Sequence, residues 1–282
     1  MTNGVTPYVA VVAARNEVES IRKSIRSVLN QTAPPLVCIL VDDSSTDDTP
    51  KFAAEEGAEI IILNKPRFKV RGVNQVTALM TGVQTATRSH PDWEFLLKFD
   101  ADTVIPIHYV QCLLAAMEAD KKLGVCSGKP IGEKIRLTRA SDAAKLYRRE
   151  CWDDIKGLDV WTAFDSHALL KAVQAGWRVR TIPSVNFMEL RPSRKNGITR
   201  WILTGFERAS FGLPLYHTVL AAVKNIMWGW PPILNSIAFI LAHIVNPWPR
   251  APNIDDDWIK RHALFEIKSY FNELVETCIR ET

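Results

Sequence analysis

Residues 36–45, LVCILVDDSS, carry the reading of the fold: six apolar residues run straight into two aspartates and two serines. A continuous apolar run of this length, with β-branched Val37, Ile39 and Val41, marks a strand buried on both faces, as in a parallel sheet. The same pattern recurs on either side. Tyr8–Ala13 (YVAVVA) is a short β-rich run that stops at Arg15-Asn16-Glu17. Ala58–Leu63 (AEIIIL) is a third strand, and Trp93–Phe99 (WEFLLKF) a fourth that ends at Asp100-Ala101-Asp102. Helices fill the gaps. The first carries Val18, Ile21, Ile25, Val28 and Leu29 on one face, with Asn16 as its N-cap, Glu17 and Glu19 at its positive end, and Pro34-Pro35 breaking it. The second starts at Thr46 with Asp47 and Asp48 in its first turn, and the third covers about 71–87. This alternation predicts an α/β protein, a doubly wound sheet with right-handed crossovers and helices on both faces. The polar residues after each strand then gather at the carboxyl edge, where open α/β sheets bind ligands.

Composition narrows the class. The 282 residues fit one large domain or two small ones. A net charge of +4 is too mild to argue for nucleic acid, and 47% hydrophobic residues exclude a disordered chain. The five cysteines, at 38, 112, 126, 151 and 278, include no C-x-x-C pair, which argues against a thiolate metal site or a disulfide framework. The N-terminal MTNGVTPY lacks the basic stretch and apolar run of a secretory leader. The catalytic part is therefore expected to face the cytoplasm.

Asp100 and Asp102 flank a small alanine just after a strand. In extended chain, residues i and i+2 point the same way, so two carboxylates aim at one spot and repel unless a cation lies near them. A divalent cation, Mn²⁺ or Mg²⁺, is the expected partner, with open positions for phosphate oxygens; the other reading is a solvated turn. Asp42-Asp43 also ends a strand. A carboxylate there accepts from a base N–H or a ribose hydroxyl, unless Asp43 or Ser44 only caps the next helix. Neither G-x-G-x-x-G nor G-x-x-x-x-G-K-[ST] follows a strand, which disfavours a dinucleotide site and a P-loop.

Together, Val11-Val12-Ala13-Ala14-Arg15-Asn16-Glu17, Val41-Asp42-Asp43-Ser44-Ser45-Thr46-Asp47-Asp48-Thr49 and Phe99-Asp100-Ala101-Asp102 resemble the family 2 glycosyltransferases, inverting enzymes of the GT-A fold. Arg71-Gly72-Val73-Asn74 resembles the element that contacts the donor, and Tyr147-Arg148-Arg149-Glu150 through Ile155-Lys156-Gly157-Leu158-Asp159 resembles the acceptor-side segment. Asp165, eleven residues before Gly176-Trp177, resembles the element whose aspartate is the catalytic base. The resemblance spans roughly residues 7–185. It implies a nucleotide-sugar donor site drawing on Ala13, Arg15, Glu17, Arg71 and Ala101, with Asp42 or Asp43 on the base. It also implies Asp100 on the ribose or diphosphate and beside the metal, Asp102 on the metal, and Asp165 as general base. Phe164 stands where the family often has glutamate, and His167 is an alternative base. The implied reaction is one displacement with inversion, the base taking the acceptor's proton as the nucleoside diphosphate leaves.

The tail is a different material. From Asn225 to Pro249 no residue is charged, and residues 191–208 hold Arg191, Arg194, Lys195, Arg200 and Arg208 against one acid, Glu207. Arg200-Trp201 partly resembles the Q-x-x-R-W element of cellulose-synthase-like members, with Gly197 at the glutamine position, which implies contact with donor diphosphate or acceptor. A basic stretch on a membrane surface fits equally. Two apolar segments, 213–229 and 233–246, are each shorter than the roughly 20 residues of a spanning helix. They read as a short hairpin in the bilayer, as helices lying in its interface, or as a buried core or oligomer interface. Asp255-Asp256-Asp257 caps a last helix with Ile267, Phe271, Leu274, Val275 and Cys278 on one face.

The expected organisation is a GT-A catalytic domain at 1–190, a basic interfacial segment at 191–212, an apolar membrane-associated hairpin at 213–250 and an amphipathic C-terminal helix at 251–282. The expected activity is metal-dependent hexosyl transfer from a nucleotide sugar, first GDP-mannose and second a UDP-hexose. The expected acceptor is lipid-linked, a polyprenyl phosphate or a lipid-borne saccharide, at a membrane. Two rivals remain. A nucleotidyltransferase would want a glycine-rich basic loop where Ala14-Arg15-Asn16-Glu17 stands, and a non-catalytic membrane scaffold would not need Asp43, Asp100, Asp102 and Asp165.

Overall fold

A computed structural model describes residues 6–63, 68, 72–132, 138–191, 197–228 and 232–266, with backbone alone at 225, 227, 228 and 232. The chain divides into two compact units, Met1–Pro192 and Ser193–Thr282.

The first unit runs β1 (Tyr8–Ala14), α1 (Ile21–Leu29), β2 (Cys38–Asp42), α2 (Thr49–Glu55), β3 (Glu59–Ile62), α3 (Val73–Ser89), β4 (Phe95–Phe99), β5 (Thr103–Val104), α4 (Tyr109–Ala119), β6 (Leu123–Pro130), β7 (Ala144–Arg148), α5 (Arg149–Asp154), α6 (Phe164–Gln174) and β8 (Arg178–Glu189). The sheet order is β3-β2-β1-β4-β7-β6-β8-β5. The four apolar runs form its parallel half, β3-β2-β1-β4. β7 then pairs antiparallel with both β4 and β6, β8 runs parallel to β6, and β5 pairs antiparallel with β8. The sheet is therefore mixed. Residues of α1 and α4 pack one face with Tyr8, Leu40 and Leu97, and residues of α3, α5 and α6 pack the other with Val9, Val41 and Leu96. Strands buried on both faces lose the inside–outside alternation, which is why they read as unbroken apolar runs.

Two local expectations fail. Asn16 does not cap the first helix. It lies at φ 54, its Oδ1 accepts the Thr46 N–H at 2.9 Å, and α1 begins only at Ile21. The second helix starts at Thr49, so Asp47 and Asp48 precede it, and Asp47 Oδ1 accepts from the Thr49 N–H at 3.0 Å. Nor does Ser44 cap it: Ser44 lies at φ 62 and its hydroxyl donates to Leu63 O at 2.8 Å. These polar side chains tie the β1 and β2 loops together instead of closing helix ends, a competition that short polar side chains often win.

Tyr109 shows how the second face is held. Its buried hydroxyl donates to Ala144 O at 2.9 Å and accepts the Gly128 N–H at 2.7 Å, joining α4 to β7 and β6. Tyr109→Phe strands both backbone groups without water. It should cost about 1–3 kcal/mol, measured by urea unfolding; an unchanged midpoint would refute the role of this bridge.

The second unit contains α7 (Ile198–Ser210), α8 (Leu215–Trp228), α9 (Pro232–Ile244) and a helical stretch at 256–266. Asp255 accepts the Trp258 N–H at 2.5 Å and so caps that stretch. Its expected apolar face, from Ile267 to Cys278, lies outside the described residues. α9 packs on α7 and α8. Gly205 permits the first approach, since a Cβ there would lie 2.5 Å from Phe239 O. Burial in this unit runs opposite to the water-soluble norm. His217, Thr218, Asn235 and Ser236 are buried, while Val223, Ile226, Ile233, Ile237, Leu241 and Ile244 are exposed. Among the described residues, no helix is long and apolar enough to cross a membrane.

Candidate active site

The parallel half of the sheet brings the ends of β1, β2 and β4 to one edge, and β7, being antiparallel, contributes its beginning there. Asp42 closes β2 at 2% exposure. Its Oδ2 accepts the Ser45 N–H at 3.0 Å, while its buried Oδ1 has no hydrogen-bond partner. A buried carboxylate oxygen left open is an acceptor placed for a ligand's N–H or hydroxyl. Asp43 is also buried, with its N–H bonded to Ala14 O at 2.9 Å. The neighbouring loop is laced to it: the Asn16 N–H donates to Ser45 Oγ at 2.9 Å and the Glu17 N–H to Thr49 Oγ1 at 2.7 Å. Ala13 lies within β1, partly buried, and Arg15 just beyond it is exposed.

Asp100 and Asp102 follow β4, and Ala101 between them turns into the core shared with Ile21 and Tyr109. The backbone fixes both. The Asp100 N–H donates to Ala143 O at 2.9 Å, and Asp102 O accepts the Leu190 N–H at 2.8 Å. Burial raises the Asp100 carboxyl to about 6; Lys98 opposes the shift, and Asp165 and Asp102 add to it. Glu189, opposite Thr103 in the β5–β8 pairing, is also raised, by burial and then by the fields of Asp102, Asp100 and Asp142. The edge is thus an oxygen-rich pocket with excess negative charge, which fits a hard divalent cation. Among the described residues no three-residue group of His, Cys, Asp or Glu could hold a metal. A cation at Asp100 and Asp102 would take its remaining ligands from phosphate or water, as magnesium-type sites do. Arg191 is the cation now present: its Nε donates to Asp102 Oδ2 at 3.0 Å and its Nη2 to Glu17 Oε1 at 2.7 Å.

Asp165 lies in the first turn of α6, where a carboxylate suits the helix's positive end. Two buried lysines reach it. Lys145 Nζ donates to Asp165 Oδ1 at 2.8 Å and lies 2.9 Å from Asp142 Oδ1. Lys98 Nζ donates to Asp100 Oδ1 at 2.7 Å and lies 3.7 Å from Asp165 Oδ2. Burial opposes charge on both, but Asp100 and Asp165 hold Lys98, and Asp142 and Asp165 hold Lys145, above the usual lysine range. Lys98 therefore links the D-x-D aspartate to Asp165. His167, the alternative base, is fully buried beside Asp159, 3.4 Å away, which gives it a structural place.

Of the remaining expected residues, Arg71 lies outside the described residues. Its neighbours are placed: Asn74 bonds the backbone of Phe68 through both ends of its amide, at 3.0 and 2.7 Å. Gly72 lies at φ +81, where a Cβ would come 2.7 Å from Thr162 O, in the loop before α6. Arg200 and Trp201 belong to the second unit, where Trp201 meets Phe239 edge-on at 5.7 Å. The sequence reading missed Lys98, Lys145 and Glu189 and saw Arg191 only as part of a basic run. One signal was available: Lys98 is the only basic residue in the run WEFLLKF. A shallow indentation lined by Trp93, Glu94 and Arg149 lies at the other end of β4 and holds none of these groups.

Comparison with known proteins agrees with this arrangement. Over 144 residues, 51% of this chain and 40% of the relative, the sequence is 29% identical to the glycosyltransferase EpsH of Bacillus subtilis. Over 124 residues, 43% of this chain, it is 26% identical to the poly-β-1,6-N-acetyl-D-glucosamine synthase of Staphylococcus epidermidis. The matched region spans 27% of that synthase, so the chain matches well under half the length of either relative. In fold it resembles the mannosyltransferase PcManGT from Pyrobaculum calidifontis, solved in complex with GDP-Man and Mn²⁺. The TM-score is 0.54 at 20% identity, over 97% of this chain and 79% of that one. Residues 9–160 match the family described as Glycosyl transferase family 2, more than half of the chain, and the protein belongs to that family of glycosyltransferases.

Proposed function

We propose that this glycosyltransferase moves a hexosyl group, with inversion, from a nucleotide sugar to the hydroxyl of a lipid-linked acceptor at a membrane surface. The observation that carries the catalytic part is the joining of Asp100 and Asp165 through Lys98, at 2.7 and 3.7 Å. It puts the pair that would hold a divalent cation and donor phosphates beside a carboxylate able to take a proton. Asp42 Oδ1 supplies an acceptor for the nucleoside. Asp100 and Asp102 would hold Mn²⁺ or Mg²⁺, which when bound neutralises the leaving diphosphate. Arg191, released from Asp102, is placed to add a second positive charge. Asp165 removes the acceptor proton as the hydroxyl attacks the anomeric carbon. A base is needed for a hydroxyl and not for a phosphate, so Asp165 favours a lipid-borne saccharide over a bare lipid phosphate. GDP-mannose is the first donor to test, because the similar PcManGT was solved with GDP-Man. A UDP-hexose is the second.

The membrane part rests on the reversed burial of the second unit. Ile233, Ile237, Leu241 and Ile244 of α9 form one exposed stripe at helical spacing, and Val219, Val223 and Ile226 form another on α8. A helix of 13 residues is about 20 Å long, short of a bilayer's roughly 30 Å core, so these helices are read as lying in one leaflet's interface. Charged residues on the stripe should break this docking. The Ile237→Glu/Leu241→Glu variant is expected to bind anionic vesicles at least about tenfold more weakly in flotation. Binding of the unaltered chain should survive high salt; release by salt alone would refute apolar docking.

The whole reading is tested by incubating the protein with labelled nucleotide sugars, Mn²⁺ and a lipid extract. Label should enter the lipid fraction. No transfer from any donor would overturn the enzyme assignment, and transfer to water-soluble acceptors alone would overturn the lipid one.

A further inference from the structure

Lys98 and Lys145 face each other across neighbouring strands, paired in the β4–β7 register. Like charges directly opposite in a sheet repel, and a buried ammonium is costly to remove from water. Two leucines there would pack at less cost. Yet Lys145 is fully buried and Lys98 nearly so, at 0% and 3% side-chain exposure, and both reach one carboxylate, that of Asp165. The counter-charges are shared: Asp142 serves Lys145, Asp100 serves Lys98, and only Asp165 touches both lysines. A cation on each oxygen restricts the turning of the Asp165 carboxyl about its terminal bond, a torsion that is otherwise broad.

We propose that Lys98 and Lys145 are positioning residues that clamp the Asp165 carboxylate in one orientation for proton removal, Lys145 through Oδ1 and Lys98 through Oδ2. The proposal rests on the transferase reading of this site and adds to it how the base is aimed. Neither lysine touches substrate in this account; each acts through Asp165. A base misplaced by about 1 Å loses on the order of a hundredfold in rate.

Lys145 gives the cleaner test, because Lys98 also touches Asp100. Removing Lys145 alone leaves two carboxylates facing each other, so the comparison starts from Asp142→Asn, which drops one negative charge. Against that reference, Asp142→Asn/Lys145→Met keeps the charge balance of the native cluster. Its kcat should fall about a hundredfold, while KM for the donor and calorimetric affinity for nucleoside diphosphate with Mn²⁺ stay within about twofold. In an Asp165→Asn background the same lysine change should have no further effect, since there is no base left to aim. If the methionine variant melts below the assay temperature, Lys145→Gln in the same background serves the same cycle. An equal rate loss with and without Asp165, a fall in donor affinity matching the fall in rate, or no loss at all would overturn the clamp. A native chain that transfers no sugar would instead overturn the transferase reading.

Discussion

Asp165→Asn is expected to lower the rate of sugar transfer about a thousandfold while nucleotide affinity is kept. The asparagine is nearly the same shape and can accept hydrogen bonds from Lys145 and Lys98, so the geometry around α6 should persist. What disappears is a group able to take a proton, and general base catalysis by a placed side chain contributes about 10²–10⁴ in rate. The variant will also be less stable than the native protein, because Lys145 and Lys98 keep their charges and lose one counter-charge in a buried place. Transfer must therefore be measured below the midpoint of melting, with nucleoside diphosphate and Mn²⁺ binding as the control for folding. The acceptor gives a sharper reading. A phosphate acceptor is already ionised at neutral pH and needs no base, so a large loss with a hydroxyl acceptor and a small loss with a lipid phosphate would place Asp165 in proton removal. A rate within threefold of native on a hydroxyl acceptor would remove Asp165 from the mechanism.

Much of this site was legible because it is written in local pattern. β1, β2 and β4 are apolar runs that stop at polar residues, and in a parallel sheet those stops fall on one edge. Asp42, Asp100 and Asp102 could thus be located from spacing alone. Asp165 could not. It begins a helix instead of ending a strand, and its place near Asp100 depends on β7 turning antiparallel beside β4, which no short window encodes; the family resemblance supplied it. Lys145 was invisible for the same reason, since its meaning lies in the partner that β4 sets across from it. Arg191 looked like part of a basic surface until the β5–β8 pairing brought Leu190 to Asp102. Asn16 failed the other way. As a short polar residue ahead of a helical face it had the local qualities of an N-cap, and a contact with Thr46, thirty residues on, outweighed them.

The second large effect is expected at Asp102. Asp102→Ala should lower transfer about a thousandfold, as expected when several kcal/mol of charge stabilisation at the diphosphate is lost. It should also abolish the protein-bound Mn²⁺ signal in electron paramagnetic resonance with nucleoside diphosphate present. Chelation of the native enzyme should have the same two effects, reversed by added Mn²⁺ or Mg²⁺. A rival account makes Asp102 only the anchor of Arg191, which it holds at 3.0 Å together with Glu17. The accounts part at Arg191→Gln. If Asp102 serves the cation, this variant keeps Mn²⁺ binding and loses affinity for the donor diphosphate, because a mobile positive charge has gone and the carboxylates remain. If Asp102 serves only Arg191, the two variants behave alike and both still bind Mn²⁺. The acidic surroundings favour the first outcome. Asp100, Asp102 and Glu189 share one edge, and their mutual fields help raise Asp100 and Glu189. One guanidinium, itself shared with Glu17, leaves that negative charge under-compensated, and a divalent cation would relieve it.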